Sequence, residues 1–319
     1  MECKEVNISR VYKKVDFVDR GAFGDVFRLL DNDGQVLALK VLQRAQISFP
    51  ADFARELRCL TRLRGDPFIV RIHKAFLAAG IANTPPSPAF TMDYMPVTLF
   101  AMSVGCIVGL PFSVIAKLFR DVARGLMYIH EMGLIHRDLS LRNVLLAANL
   151  TAKISDFGVS RQVCSRDMSG GCVTVRYRAP ELAMKGTIYG TAADNWSLGT
   201  MIMETVENRT VFQPRRGDLD SAELEHETMT NVRRVVDLPG HMSIKAPERY
   251  IPNTMRQAAI RKVVLGLLQP TPKLRMTGQD LLDDREWFKL SHINEGDREH
   301  ATERYRECMM QCTSRLRPI

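Results

Sequence analysis

The segment from His136 to Gly158 constrains this chain more than any other. It begins with the polar cluster HRDLSLRN at 136–143, continues through an apolar run at 144–146, and ends with DFG at 156–158. Asp138, Asn143 and Asp156 therefore lie on loops at either end of a predicted strand pair, where they can converge on one point. Phosphoryl transfer needs a carboxylate to orient the attacking hydroxyl and oxygen ligands for magnesium. Two unrelated capped turns would explain either cluster alone, but not both together.

These two clusters resemble the H-R-D-L-x-x-x-N and D-F-G motifs of protein kinases. The resemblance runs from about Val11 to about Phe288. It implies an α+β, bilobal protein kinase fold with a small β-rich N-lobe at 11–95 and a larger, mainly helical C-lobe at 96–288. Residues 1–10 are then an N-terminal extension and residues 289–319 a C-terminal tail. By the same resemblance Asp138 acts as the catalytic base, and Asn143 and Asp156 bind the Mg²⁺ that accompanies ATP.

Composition is consistent with a large globular chain and excludes several other classes. With 319 residues, 45% of them apolar and 25% charged, the chain can bury a core large enough for two lobes. The least charged run, 97–119, is interrupted by Gly109 and Pro111, which favours two helices of a lobe over a membrane span. The formal charge of +8 suits phosphate or acidic partners, whereas nucleic acid is not favoured without interleaved aromatic residues.

Cysteine usage and the polar N-terminus predict a cytoplasmic or nuclear location. The seven cysteines show no paired spacing, which is typical of free thiols in a reducing compartment. The first five residues are too polar to begin a secretory signal.

A glycine loop and a lysine in the first third of the chain predict a phosphate-binding element. Gly21 and Gly24 lie between two predicted strands, and glycines let backbone amides approach phosphate closely. Lys40 lies inside the next apolar strand, and a buried lysine requires a charged partner. The helix that opens near Pro50 offers Glu56, so we expect a Lys40–Glu56 ion pair that aims the ammonium at the nucleotide's phosphates.

The resemblance also implies which residues line an ATP site. Met92 would lie at the back of the pocket, the main chain of Asp93 and Met95 would hold the adenine, and apolar side chains from both lobes would sandwich its ring. The full set is Val18, Gly21, Gly24, Val26, Ala38, Lys40, Met92, Asp93, Met95 and Leu145.

Two further segments resemble cyclin-dependent kinases in particular. Residues 173–181, VTVRYRAPE, look like the V-T-x-x-Y-R-A-P-E of that family. Thr174 then matches the threonine near the catalytic aspartate of Ser/Thr kinases, and Arg178 is typical of proline-directed members. The stretch from Pro50 to Glu56 has the length and the ends of the cyclin-contacting P-S-T-A-I-R-E helix. The resemblance therefore implies protein substrates and a cyclin-like activating subunit bound at this helix.

Three arginines match those that gather around a phosphorylated activation-loop residue in cyclin-dependent kinases. They are Arg55, Arg137 and Arg161, and the loop residue in register is Ser169. A phosphate would supply the anion that clustered arginines require. The alternative is a loop that is active without phosphate.

Other matches have a structural role. Asp194 is expected to support the catalytic loop from below, and Glu181 is expected to pair with Arg275.

Two departures from the pattern leave the activity open. Ser140 replaces the lysine that meets the transferred phosphate in Ser/Thr kinases, while Arg142 occupies the position of an arginine found in tyrosine kinases and would supply the charge instead. Asp19 stands where the first glycine of the phosphate loop is expected, and an inward carboxylate would repel phosphates. The alternatives are thus a pseudokinase that serves as a scaffold, or an adaptor acting through the tail. The sequence of the tail at 289–319 predicts a charged helix.

Overall fold

The computed structural model describes residues 4–21, 24–42, 49–81, 85–163, 175–183, 190–213, 221–238 and 246–318. The side chains of residues 21, 49–53, 183 and 221–222 lie outside this description. The strands in the described ranges are β1 Glu5–Asn7, β2 Lys14–Gly21, β3 Gly24–Leu30, β4 Val36–Val41, β5 Ile72–Ala79, β6 Ser87–Asp93, β7 Val97–Thr98, β8 Leu134–Ile135, β9 Val144–Leu146, β10 Ala152–Ile154, β11 Arg161–Gln162 and β12 Arg317–Pro318.

The helices divide into a few in the first third of the chain and many after residue 99. They are α1 Ile8–Val11, α2 Phe49–Arg62, α3 Leu99–Ser103, α4 Phe112–Glu131, α5 Pro180–Ala183, α6 Thr191–Glu207, α7 Ser221–Arg233, α8 Pro247–Tyr250, α9 Pro252–Arg256, α10 Ala258–Leu267, α11 Gly278–Asp283, α12 Arg285–Leu290 and α13 Glu295–Ser314. Short 3₁₀ turns cover Val175–Tyr177 and Pro272–Leu274.

A twisted sheet with the order β1-β5-β6-β4-β3-β2-β12 forms the N-lobe. Its pairs are antiparallel except β1 with β5. In β3 the alternate residues Phe27 and Leu29 are buried, as expected for a strand with one face on a core. In the central strand β4 every residue from Leu37 to Val41 is buried. Helix α2 packs against this lobe through Leu60, and Leu63, which directly follows the helix, is fully buried beside it. The small β-rich lobe and the larger helical lobe confirm the predicted fold class.

Helices α4 and α6 form the centre of the C-lobe. Phe119, Val122 and Leu126 of α4 recur at helical spacing and are fully buried. They pack in one cluster with Trp196 and Met201 of α6. No helix among the described residues is long and apolar enough to cross a membrane, and the apolar run at 97–119 is divided among β7, α3 and the start of α4.

The predicted scaffold ion pair is present in the C-lobe. The Arg275 side chain is fully buried and donates from both terminal nitrogens to Glu181, at 2.8 and 2.9 Å. Arg275 also donates to the Ala192 carbonyl at 2.7 Å, which ties the start of α6 to the segment after α10.

Both terminal segments join the N-lobe sheet rather than trailing from it. Strand β1 covers one edge by pairing with β5, and Ile8 behind it is fully buried. At the other edge β12 pairs with β2, with Arg317 opposite Phe17 and Pro318 opposite Asp16. The short strands β1 and β12 thereby become the edges of the sheet, and short edge strands leave few unpaired ladder groups exposed.

The tail crosses from one lobe to the other. Helix α13 contacts α3, α4 and β7, and its Tyr305 and Cys308 are buried in the C-lobe core. Met309 of the same helix is 37% exposed, because a residue one position along a helix turns away from its buried neighbour. The chain then reaches β2, which carries one side of the glycine loop.

Removal of residues 315–319 tests this connection. We expect α13 to remain folded and the amides of Lys14–Phe17 to exchange hydrogen roughly 3- to 10-fold faster, because a short ladder contributes only about 0.5–1.5 kcal/mol per hydrogen bond. Hydrogen exchange measured by mass spectrometry checks this, with Met310→Ala on the exposed side of α13 as the control. Unchanged exchange in β2 would show that β12 does not hold the edge.

Candidate active site

Lys40 is the centre of the site and makes the predicted ion pair. It lies on β4 opposite Val26 of β3, and its side chain is only 10% exposed. The ammonium Nζ lies 2.7 Å from Glu56 Oε1 on α2. It also lies 3.0 Å from Asp156 Oδ1, a contact that the sequence motifs did not specify. One cation thus joins the sheet, the helix and the loop that follows β10.

Burial and opposite charge compete in this cluster. Burial alone would lower the pKa of Lys40, but the carboxylates of Asp156 and Glu56 outweigh it and the pKa lies above its ordinary value. Burial would likewise raise the pKa of Asp156, yet the Lys40 ammonium holds it below the ordinary range. For Glu56, burial dominates over Lys40 and its pKa is raised. Lys40 and Asp156 are therefore charged at neutral pH.

Asp138 and Asn143 converge, as their spacing predicted. The Asn143 amide Nδ2 donates to the Asp138 carbonyl at 2.8 Å and to its carboxylate Oδ2 at 3.0 Å. The Asn143 carbonyl accepts from the backbone and the hydroxyl of Ser155, the residue before Asp156. A continuous set of hydrogen bonds therefore fixes Asp138, Asn143 and the Asp156 loop relative to one another.

The oxygen atoms at this point suit a magnesium ion. Asn143 uses its amide nitrogen for Asp138, so its side-chain oxygen faces no hydrogen-bond donor among the described residues. Asp156 offers a second oxygen besides the one near Lys40. No group of three or more His, Cys, Asp or Glu side chains is arranged for a metal in the described ranges. Magnesium is commonly held by one or two protein oxygens plus phosphate and water, so Asn143 and Asp156 fit it.

Asp194 supports the catalytic loop from below, as predicted. Its fully buried carboxylate accepts from the backbone N–H of His136 and of Arg137, each at 2.9 Å, and contacts His130 Nε2 at 2.9 Å. Arg137 has a φ of 72°, a left-handed conformation that costs a non-glycine residue free energy. The two carboxylate oxygens of Asp194, which accept from these N–H groups, stabilise that conformation. Burial would raise the pKa of Asp194, but these hydrogen bonds and His130 lower it on balance.

The glycine loop is closely packed where it meets β4. Gly24 has a φ of 146°, and a Cβ there would lie 2.3 Å from the Val41 carbonyl oxygen, so only glycine fits. In β2 the register shifts between Phe17 and Asp19, which places Val18 in a bulge. Bulges redirect a side chain, and Val18 is one of the predicted nucleotide contacts.

The remaining predicted nucleotide contacts lie on strands of both lobes, except for Met95, which lies between β6 and β7. Ala38 is opposite Met92 in the sheet, and Leu145 lies on β9 opposite Thr98. The Asp93 carboxylate bonds His73 and Lys153, and its N–H donates to the Arg71 carbonyl at 3.1 Å. Any contribution of Asp93 to adenine therefore comes through its carbonyl. The roles of this set, including Met95, stay predictions.

The two departures from the pattern have different surroundings. Asp19 is exposed, and its carboxylate accepts from the Arg20 N–H at 2.8 Å. Ser140 is buried, and its carbonyl accepts from the Asn143 N–H. The Arg142 guanidinium carbon lies 4.0 Å from the centre of the Phe100 ring, a cation–π contact. Arg142 is thus engaged with Phe100 in this arrangement.

The three predicted phosphate-site arginines lie together. Arg137 and Arg161 each donate to the Val159 carbonyl at 3.4 Å. Arg161 and Arg55 line one cavity between α2 and β11. Ser169 and Thr174 lie outside the described residues.

Some functional contacts escaped the sequence interpretation. The His73–Asp93–Lys153 cluster joins three separate elements, and no motif links its members. His136 packs edge-on against Phe157, with ring centroids 4.9 Å apart. His136 and Phe157 belong to the HRD and DFG motifs themselves, but their spacing along the chain does not predict that the two rings touch.

Replacement of Asp194 by Asn tests how much the Asp194 carboxylate stabilises the loop at His136 and Arg137. The change removes the charge and places an N–H₂ group against backbone donors, so we expect a loss of about 2–4 kcal/mol of unfolding free energy. Calorimetry should show a melting temperature lower by several degrees. Asp283→Asn, on an exposed face of α11, is the control and should change little.

The same variant should show a pH dependence with a definite sign. The folded pKa of Asp194 is depressed, so its contribution to the free energy of unfolding is complete above the unfolded value of about 3.9 and is lost as the pH falls through the folded pKa. The stability gap between wild type and Asp194→Asn should therefore narrow in acid. A constant gap from neutral pH to about pH 3 would contradict this.

Comparison with known proteins agrees with this geometry. The model of the protein kinase domain family matches residues 12–288. The Probable CTD kinase subunit alpha homolog of Encephalitozoon cuniculi is 30% identical over 287 residues, which make up 86% of this chain and 83% of that protein. Cyclin-dependent kinase 11.1 of Caenorhabditis elegans is 28% identical over 309 residues, which are 90% of this chain but 42% of that protein.

A plant relative covers less of the chain. Cyclin-dependent kinase B2-1 of Arabidopsis thaliana is 29% identical over 231 residues, 69% of this chain and 72% of that protein. The match to the family model, together with the ion pair and loop geometry above, leads to one conclusion. The chain belongs to the protein kinase domain family, within its cyclin-dependent kinase-like (CMGC) group.

Proposed function

We propose that this protein transfers the γ-phosphate of ATP to serine and threonine hydroxyls of protein substrates, next to proline, with Mg²⁺ as the divalent ion and a cyclin-like subunit as its activator. The observation that carries the proposal is Lys40, whose ammonium contacts both Glu56 and Asp156 at 2.7 and 3.0 Å. These two contacts bring β4, which carries the phosphate-binding lysine, next to the loop after β10, which carries the metal-binding aspartate. Phosphoryl transfer depends mainly on such positioning and on charge neutralisation.

Each side chain has a role that follows from its contacts. Lys40 is held charged and presents a cation to phosphate oxygens, while Glu56 fixes its direction. Asp138, oriented by the Asn143 amide, accepts the proton of the substrate hydroxyl. Mg²⁺, when bound, neutralises phosphate charge. Asn143 and Asp156 supply oxygen atoms to hold it.

Regulation through the loop after β11 is part of the proposal. The convergence of Arg55, Arg137 and Arg161 supports a phosphate on Ser169, since a phosphoryl group carries about −1.5 to −2 charges and orders segments opposite arginine clusters. Phosphopeptide mapping of the activated protein should locate the phosphate at Ser169, and Ser169→Ala should remove it.

A pseudokinase is the second candidate function. The observation that favours it is Ser140, which replaces a phosphate-facing lysine, together with the engagement of Arg142 by Phe100 at 4.0 Å. The complete set of Lys40, Glu56, Asp138, Asn143 and Asp156 favours catalysis instead.

A direct assay separates the two candidates. We expect the chain, with Mg²⁺-ATP and a cyclin-like partner, to phosphorylate a mixed set of Ser-Pro, Thr-Pro and Tyr peptides at serine or threonine. Asp138→Asn should lower the rate by about 10²- to 10⁴-fold, because it removes the base. Asp33→Asn, an exposed turn residue, is the matched control and should retain the wild-type rate.

Three outcomes would overturn parts of the proposal. Phosphate found on tyrosine alone would shift the specificity to that hydroxyl. Equal rates for wild type and Asp138→Asn would exclude Asp138 as the base. Absence of transfer under every condition, without any ATP-dependent thermal shift, would favour the scaffold.

A further inference from the structure

Helix α2 carries a ridge of arginines that extends beyond the predicted phosphate site. Arg55, Arg58 and Arg62 recur at intervals of three and four, so they share one face of the helix. Together with Arg161 of β11 they line a cavity of about 270 Å³. Its floor includes Cys59, which is buried, and Leu134 of β8. The ridge is therefore one wall of a concave surface.

The positive charge here exceeds what a phosphate on the loop would neutralise. The predicted site uses Arg55, Arg137 and Arg161 for a group of about −1.5 to −2 charges. Arg58 and Arg62 add two further charges on the same wall and are exposed. Neither makes an ion pair or side-chain hydrogen bond within the described part of the chain.

Stabilisation by the helix dipole accounts for only one arginine of the ridge. Arg62 lies in the last turn of α2, where a cation is favoured by the helix dipole. Arg58 lies a turn earlier and has no such reason. The guanidiniums also act together on the cavity floor. Burial raises the pKa of the Cys59 thiol, whereas Arg55, Arg62 and Arg161 oppose that rise, which reflects their common closeness to it.

We propose that this cavity binds an acidic, extended segment of an activating protein partner through Arg58 and Arg62. The proposal rests on the proposed partner site at Pro50–Glu56 and extends it two turns along α2. Carboxylates on a protein segment are the complementary charge for two exposed guanidiniums, which bind them in a bidentate manner. The described lining includes no aromatic side chain for base stacking, so a protein segment fits better than nucleic acid.

The spacing of the ridge predicts the pattern of the ligand. Side chains four apart on a helix are separated by about 6 Å. In an extended chain, residues two apart lie about 7 Å from each other and point to the same face. Acidic residues at alternate positions would therefore meet Arg58 and Arg62 together, whereas adjacent acidic residues would point to opposite faces.

A binding assay without ATP tests this directly. The probe is a short fluorescent peptide of alternating glutamate and alanine, titrated with the full chain in fluorescence anisotropy at about 50 mM salt, where exposed charges are weakly screened. We expect Arg58→Gln with Arg62→Gln to weaken binding by about tenfold, a sum of modest exposed pairs. Arg64→Gln is the matched control, since this exposed arginine follows α2 outside the cavity, and should change affinity by less than about twofold.

Further peptides distinguish the source of the negative charge. A peptide with the same number of glutamates, placed as adjacent pairs separated by three alanines, presents no two glutamates two residues apart and should bind more weakly than the alternating one. A glutamine analogue of the alternating peptide should not bind. Equal binding by the double variant and wild type overturns the proposal. Binding confined to a phosphoserine peptide also overturns it. A third contrary result would be equal losses of peptide affinity in the double variant and in Arg64→Gln, together with oligothymidylate binding that is as tight as peptide binding. That result would indicate non-specific attraction to polyanions.

The assay is independent of catalysis. Because nucleotide is absent, peptide binding can succeed when the phosphorylation assay fails, and the reverse also holds. The alternating peptide should raise the melting temperature of the wild type but not that of the double variant. If the double variant alone melts at the wild-type temperature, its loss of peptide binding is not a folding defect.

Discussion

The buried ammonium of Lys40 is the interaction on which the arrangement of the site depends. A cation removed from water must be compensated, and here Glu56 and Asp156 do so from two different directions. Glu56 belongs to α2 of the N-lobe and Asp156 to the loop after β10 in the C-lobe. The position of each lobe relative to the other is thus linked to the charge state of one side chain. Movement of α2 by a partner would act directly on this contact.

The catalytic loop depends on a second compensation. Arg137 has a left-handed backbone, and so does Asp156, with a φ of 62°. Such conformations persist only where the surroundings determine them. Asp194 supplies two carboxylate oxygens to the N–H groups of His136 and Arg137, and Asn143 joins Asp138 to the strand that leads to Asp156. The Asp138 carboxylate and the backbone at Arg137 and Asp156 are therefore held by hydrogen bonds to neighbouring side chains.

Much of the site followed from the sequence because its motifs are local. The spacing of Asp138, Asn143 and Asp156 predicted their convergence, and the position of a lysine in an apolar strand predicted its pairing with Glu56. Contacts between distant segments could not be predicted in this way. The tail gave no pattern that indicated pairing of Arg317 with Phe17, because strand pairing at an edge is made by backbone groups that every residue possesses. The cation–π contact between Arg142 and Phe100 likewise depends on the side-chain conformation of Arg142, which the spacing of residues along the sequence does not determine.

The central claim is that Asp156, fixed by Lys40, helps hold the divalent ion that accompanies ATP. Calorimetric titration of ATP with and without Mg²⁺, on wild type and on Asp156→Asn, tests it most directly. We predict that Mg²⁺ raises the affinity of wild type for ATP by about tenfold and has little effect on the variant, because one of two protein oxygens has lost its charge. Equal ATP affinity with Mg²⁺ and with a chelator in the wild type, or an unchanged Mg²⁺ dependence in Asp156→Asn, would contradict the account.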